Sequence, residues 1–170
     1  MNSQELFNLI KRNADYISLE DIIQRNALSE QAQQPADNNT NNVSLLVAEY
    51  NLKTFLEIKN RECIDVIEDI NIDVLNEFTS RINKYLDKHA PRQVDLKKYI
   101  LLISTYLTFI AKQPLHPAGL VFEGGKEIVS KDNKFYCPVK NMQLHEALSV
   151  CRYCVSRDSS AMSEGTVPFR

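Results

Sequence analysis

The chain has 170 residues, enough for one domain that buries a single apolar core without obligatory disulfides or metals. Apolar residues make up 44% and charged residues 25%, the usual globular mixture. The 20 basic and 22 acidic residues leave a net charge of −2, so no global field attracts a polyanion, and no linear basic patch signals nucleic-acid binding.

Met1 to Lys11 reads as the start of an amphipathic helix and not as a secretory leader, so the expected location is the cytoplasm. Ser3 is positioned to cap this helix, which carries Leu6, Phe7, Ile10, Ala14 and Ile17 at helical spacing. Ser18 with Asp21 resembles a capping box and starts a second helix bearing Leu19, Ile22, Ile23 and Ala27. Residues 31–42, QAQQPADNNTNN, form a polar stretch without a large apolar side chain and read as a mobile loop. Ser44 caps a long helix through Leu52, Phe55 and Leu56 toward Cys63, and 64–70 reads either as its end or as a separate turn. Asp73 caps the next helix, with Val74, Leu75, Phe78, Ile82, Tyr85 and Leu86 on a 3.6-residue period, and Pro91 punctuates it.

Asp95 caps a helix running to about Lys112, where Pro114 and Pro117 stop it. Its apolar run from Tyr99 to Ala111 is shorter than the ~20 residues of a membrane span. Apolar side chains nearly all round place this helix at the centre of a bundle. All four glycines fall at or after Gly119. Short extended segments are expected from Leu120 to Val129, broken by a Gly124-Gly125 turn. Asp132-Asn133 is a hairpin turn leading into Phe135, Tyr136 and Cys137. Asn141 caps a last helix carrying Met142, Leu144, His145, Leu148, Cys151 and Tyr153 or Val155. The expected architecture is mainly α: a bundle of four to six helices with a small C-terminal β-hairpin-plus-helix module. The expected division within one domain is a helical body over 1–113, the module over 114–157 and a flexible tail over 158–170.

The strongest chemical signal lies in that module. Cys137 on a strand is followed by Cys151-Arg152-Tyr153-Cys154, whose thiols three residues apart on a helix share one face and can reach one ion. Zinc and iron–sulfur clusters both call for four ligands. Cys63, His116 and His145 are the candidates for the fourth. Reduced core thiols and a redox pair remain open alternatives, since cysteines are among the most buried residues in proteins. The redox reading is weakened by the pair's place near a predicted helix C-terminus, where the dipole opposes thiolate formation.

His116 sits in the constrained segment Pro114-Leu115-His116-Pro117, where it could ligate metal, act as acid–base or bond a helix-terminal carbonyl. His89 reads as a solvated helix end. Glu123-Gly124-Gly125-Lys126 lacks the phosphate-loop spacing and reads as a turn. The acidic run Glu62, Asp65, Glu68, Asp69 and Asp73 reads as a solvated face.

The stretch PLHP at 114–117, Phe122 with Gly124-Gly125, YCPV at 136–139 and CRYC at 151–154 resembles a family of archaeal proteins of unknown function, found mainly in methanogens. The resemblance covers most of the chain. It implies a cytoplasmic protein in an anaerobic setting, and it supplies no activity or ligand set. The leading expectation is an accessory protein binding zinc or an iron–sulfur cluster. Beside it stand a metal-free module for a protein partner, and an enzyme using His116 and Cys137 in a cleft; oligomeric state stays open.

Overall fold

The computed structural model describes residues 1–18, 20 and 38–165. Helix α1, Ser3–Ala14, begins one residue earlier in its capping than the sequence suggested. Asn2, not Ser3, is the cap: its side chain accepts the Glu5 N–H at 2.9 Å, and the Glu5 carboxylate accepts the Asn2 N–H at 2.9 Å. This reciprocal box satisfies two otherwise orphaned donors. Ser3 is buried instead, and its hydroxyl accepts the Glu68 N–H at 2.9 Å, tying the helix start to the 61–70 segment. Asn2→Ala is therefore expected to cost ~0.5–2 kcal/mol, read as a lowered urea midpoint with unchanged m-value. The predicted second helix at Leu19, Ile22, Ile23 and Ala27 lies outside the described residues.

Helix α2 spans Asn38–Asn60, so it starts inside the polar stretch assigned to a loop, and Ser44 is interior to it rather than its cap. Residues 61–70 then leave helical geometry, and Asn2 pairs with Asp69 in an isolated antiparallel bridge. Helix α3, Ile72–His89, is capped by Asn71, whose side chain accepts the N–H groups of Asp73 and Val74; Asp73 lies in the first turn, where its charge complements the dipole. Its buried stripe is Leu75, Phe78, Ile82 and Leu86; of the other two positions on the period, Val74 is partly buried and Tyr85 is exposed. Helix α4, Val94–Thr105, has Gln93 at its cap position rather than Asp95.

α4 does not simply stop. It widens into a π-helical turn over Tyr106–Ala111 and closes at Lys112, which takes a left-handed φ of 52°. Tyr106 is fully buried there, and its hydroxyl donates to Glu57 at 2.6 Å while accepting from Arg61 at 3.0 Å. These bonds join the π turn to the end of α2. Leu102, Ile103, Tyr106 and Leu107 sit in the main core beside Phe7, Phe55, Ile58 and Phe78, so this helix occupies the bundle centre as expected. Among the described residues no helix is long and apolar enough to cross a membrane.

The C-terminal part is a three-stranded mixed sheet. Strand β1, Val129–Lys131, pairs antiparallel with β2, Lys134–Cys137, in the register Val129 to Tyr136. Asp132 and Asn133 take φ values of 52° and 56°, the pair of left-handed residues that a tight hairpin of this twist requires. β2 also pairs in parallel with the two-residue β3, Arg157–Asp158. That third strand had no counterpart in the sequence reading. The chain continues as a 3-10 helix over Ser159–Gly165.

The last helix departs most from expectation. α5 is only Lys140–Leu144, preceded by Val139 at its cap position, with Asn141 inside it. His145 is already its C-terminal cap, and the chain beyond runs through turns to Ser156. Cys151 and Cys154 are thus on a turn and not on one face of a helix.

Candidate functional site

The site begins at the exit of the central helix. The Gln113 N–H donates to the Leu107 carbonyl at 2.9 Å, closing the π turn, and Pro114 is fully buried. The Tyr50 hydroxyl of α2 donates to the Pro114 carbonyl at 2.7 Å. Burial pushes the Tyr50 pKa up to about 12, so the phenol keeps that proton at any physiological pH. The next residue, Leu115, directs its N–H at the Cys154 sulfur at 3.5 Å. His116 follows, its ring edge-on to Phe122 with centroids 6.3 Å apart. The His116 side chain keeps an open edge, while the protein atoms crowded around it desolvate the ring and lower its pKa, favouring the neutral form that ligates metals.

Residues 119–128 fold back as a narrow ladder, with Gly119 N–H to Ile128 C=O at 2.8 Å and Ile128 N–H to Leu120 C=O at 3.0 Å. Gly124 and Gly125 turn it at φ values of 85° and 75°, which confirms a tight turn rather than a phosphate cradle. This ladder and β2 enclose a second small core of Leu120, Ile128 and Cys137, closed by Val43, Leu46 and Val47 of α2. Cys137 is therefore buried at the end of β2. Its burial pushes the thiol pKa up, an effect opposed by the N–H of Val139 and augmented by the nearby thiols of Cys151 and Cys154; the N–H of Lys140 also opposes it.

The Cys151–Cys154 turn is fastened from three sides. Internally, the Cys154 N–H donates to the Cys151 carbonyl at 3.2 Å and the Tyr153 N–H to the Val150 carbonyl at 3.0 Å. From the short helix, the Lys140 ammonium donates to the Cys154 carbonyl at 2.7 Å. From α3, the Arg81 guanidinium donates to the Ala147 carbonyl at 2.6 Å, and Phe78 meets the Tyr153 ring edge-on at 5.4 Å. The Tyr153 hydroxyl is sealed from solvent without a well-formed hydrogen bond, although Glu77 and Arg81 stand beside it. Burial and the Glu77 carboxylate raise its pKa.

The fold thus gathers Cys137, Cys151 and Cys154 with the His116 segment, and it leaves the other candidates elsewhere. Cys63 is exposed on the 61–70 segment, where its carbonyl accepts from Arg61 Nε at 2.9 Å. His145 is exposed at the end of α5. His116 lines a cavity with Cys151, and Cys137 is not among the residues that line it. Of the acidic run, Asp65 bonds Arg61 at 2.5 Å and Glu68 bonds Lys112 at 3.1 Å, as members of an ion-paired surface. Among the described residues, no three His, Cys, Asp or Glu side chains are grouped so as to hold an ion as they stand. Sequence reasoning missed Leu115, Lys140 and Tyr153, because an N–H aimed at sulfur and a lysine reaching a carbonyl leave no pattern in a linear chain.

These features define a mainly helical protein whose C-terminal module gathers three cysteines beside a histidine-bearing loop. The chain belongs to the family described as uncharacterized protein conserved in archaea (DUF2115), whose model matches residues 2–159. It is 35% identical over 160 residues to a UPF0305 protein of Methanocaldococcus jannaschii, covering 92% of this chain and 96% of that one. It is 31% identical over 172 residues to one from Methanococcus maripaludis, covering 93% and 98%, and 28% identical over 169 residues to one from Methanothermobacter thermautotrophicus, covering 92% and 96%. No solved structure matches the chain at a significant level.

Proposed function

We propose that this is a zinc-binding accessory protein of the cytoplasm, with Cys137, Cys151, Cys154 and His116 as the ligands. The observation that supports it most directly is the Leu115 N–H directed at the Cys154 sulfur at 3.5 Å, in a module where Cys151 and Cys154 stand close enough to Cys137 to act on its thiol. A reduced core thiol has no need of such a donor, whereas a metal-bound thiolate is stabilised and tuned by it. Three cysteines and one histidine make an ordinary closed zinc set. A cluster with four cysteine ligands would need Cys63, which stands exposed on another segment, so zinc fits the donor set better than iron–sulfur. Binding asks the four side chains to draw closer together. Cys151, Cys154 and His116 lie on irregular segments, which adjust more readily than a strand or a helix.

In this role the metal joins β2, the 151–154 turn and the exit of the central helix, and its binding free energy contributes to folding. The test is metal analysis of protein purified under reducing conditions. One zinc per chain is expected. Metal-free protein with four titratable thiols, indifferent to chelators, would sink the reading. A second reading, a metal-free interaction domain, draws on Val66 and Ile67, which stand 66% and 64% exposed on the 61–70 segment; it predicts that indifference.

A further inference from the structure

A cleft of about 520 Å³ opens between α2, the 61–70 segment and the π turn, and among the described residues neither cysteine nor histidine lines it. Tyr50, Lys53, Thr54 and Glu57 enter it from α2 at the i, i+3, i+4, i+7 spacing of one helix face. Arg61, Asp65 and Glu68 enter from the 61–70 segment, and Leu107, Phe109 and Ile110 of the π turn supply an apolar wall. The same wall carries both backbone departures of the central helix: the π turn itself, and Lys112, which holds a left-handed φ of 52°. Single π turns and strained residues other than glycine concentrate where proteins bind ligands.

The cleft carries the acidic residues Glu57, Asp65 and Glu68 and the basic residues Lys53, Arg61 and Lys112, and their pairing is uneven. Glu57 accepts from the Tyr106 hydroxyl at 2.6 Å and faces Arg61 at 3.5 Å. Asp65 is paired with Arg61 at 2.5 Å, and Glu68 with Lys112 at 3.1 Å. Every carboxylate thus has a cation beside it. Lys53 has no anion: among the described residues its ammonium is the one charge of the cleft without a partner, and it stands exposed on α2. The Gln113 side-chain amide, at the end of the π turn, is likewise unbonded among the described residues. The unmet capacity of the cleft is therefore a cation and an amide, both able to donate hydrogen bonds, next to hydrocarbon.

We propose that this cleft binds a small monocarboxylate with a hydrocarbon body, its carboxylate received by Lys53 and Gln113 and its body by Leu107, Phe109 and Ile110. One negative charge matches the one unpaired cation. A dianion would leave a charge uncompensated, and an organic cation would meet carboxylates already paired and be repelled by Lys53. The apolar wall sets such an acid apart from an inorganic anion, because covering it removes hydrocarbon of both partners from water. The volume lies within the roughly 300–1,000 Å³ of small-molecule pockets.

The test titrates hexanoate into the isotope-labelled full chain and follows its amide resonances. Saturable shifts confined to residues 50–68 and 106–113 are expected. Binding of 1-hexanol and of hexylamine should each be weaker by about tenfold, the effect of losing one charge-assisted hydrogen bond. Lys53→Gln should weaken hexanoate by a similar factor and Lys53→Arg should retain it; the position is exposed and unpaired, so both variants keep the fold, which the rest of the spectrum reports. Absence of saturable hexanoate binding, equal binding of the alcohol or the amine, or a Lys53→Gln protein that binds as the parent does overturns the inference. None of the proposed zinc ligands lines the cleft, so the result is independent of the zinc reading and should be the same after chelator treatment.

Discussion

On the zinc reading proposed above, replacing Cys151 and Cys154 together by serine is expected to leave the helical body folded and to abolish zinc binding. Serine is nearly isosteric with cysteine, and both positions are only partly buried, so the packing cost of the double change alone should be small. The loss of two of the four proposed ligands is another matter. Disturbing a partner that merely supports a ligand costs ~10–100-fold in affinity, and removing ligands costs more. The expected result is a loss of stoichiometric zinc, together with faster amide exchange in β1, β2 and the 151–154 turn, while the buried stripes of α1, α3 and α4 keep their protection. Exchange measured by mass spectrometry separates the two regions. If the thiols are only core residues, the double variant keeps wild-type exchange throughout, and chelator treatment of the unmodified protein does nothing.

That contrast rests on one placement the sequence misrepresented. Met142, Leu144, His145, Leu148 and Cys151 fit a helical period well enough to read as one amphipathic helix. They are apolar for several different reasons: Leu148 and Cys151 line the cavity that His116 also lines, Val150 and Tyr153 pack on the main core, and Met142 stands 65% exposed. A period records only that apolar residues recur; it carries no information about whether one surface or several receives them. The same limit explains the start of α2. Asn38 to Asn42 offers no apolar residue to mark a buried face, yet the helix extends through it, continuous with a packed segment further on.

Where a conformation depends on the residue itself, the sequence reading was accurate. Asp132-Asn133 demands two left-handed residues between alternating strands, and both are there. Phe78, Ile82 and Leu86 recur on one face of α3, and they are buried as a stripe. Of the candidate site, the three module cysteines and His116 were legible as types capable of ligation. Their assembly was not, because it depends on tertiary bonds from Tyr50, Lys140 and Arg81, each from an element remote in the chain from at least one of the groups it holds. The π turn also left no trace beforehand: Tyr106 to Ala111 reads as ordinary helix, and only the bonds to Glu57 and Arg61 show what its widening accommodates.

Phe78→Ala should be the most damaging single core substitution in the body, and its effect should reach the cysteine turn. Phe78 is fully buried and stands between two rings, meeting Phe109 of the π turn edge-on at 5.2 Å and Tyr153 edge-on at 5.4 Å. Truncating a buried phenylalanine to alanine costs ~3–5 kcal/mol, part of it in the cavity left behind. Each edge-to-face pair accounts for ~0.5–1.5 kcal/mol beyond area alone. Against a typical total of ~5–15 kcal/mol, the variant retains only part of the stability of the parent. The expected measurement is a marked fall in urea midpoint with unchanged m-value, and a much smaller fall for Phe78→Leu, which refills most of the space. Among the described residues Phe78 is the ring that Tyr153 meets, so the 151–154 turn is then left on α3 with the Arg152–Glu77 pair at 3.9 Å and the Arg81 bond to the preceding Ala147 carbonyl. On the zinc reading, the metal should therefore exchange faster from Phe78→Ala than from Phe78→Leu. A Phe78→Ala protein within ~1 kcal/mol of the parent would show that the core closes over the gap, and that Tyr153 is held by something other than this ring.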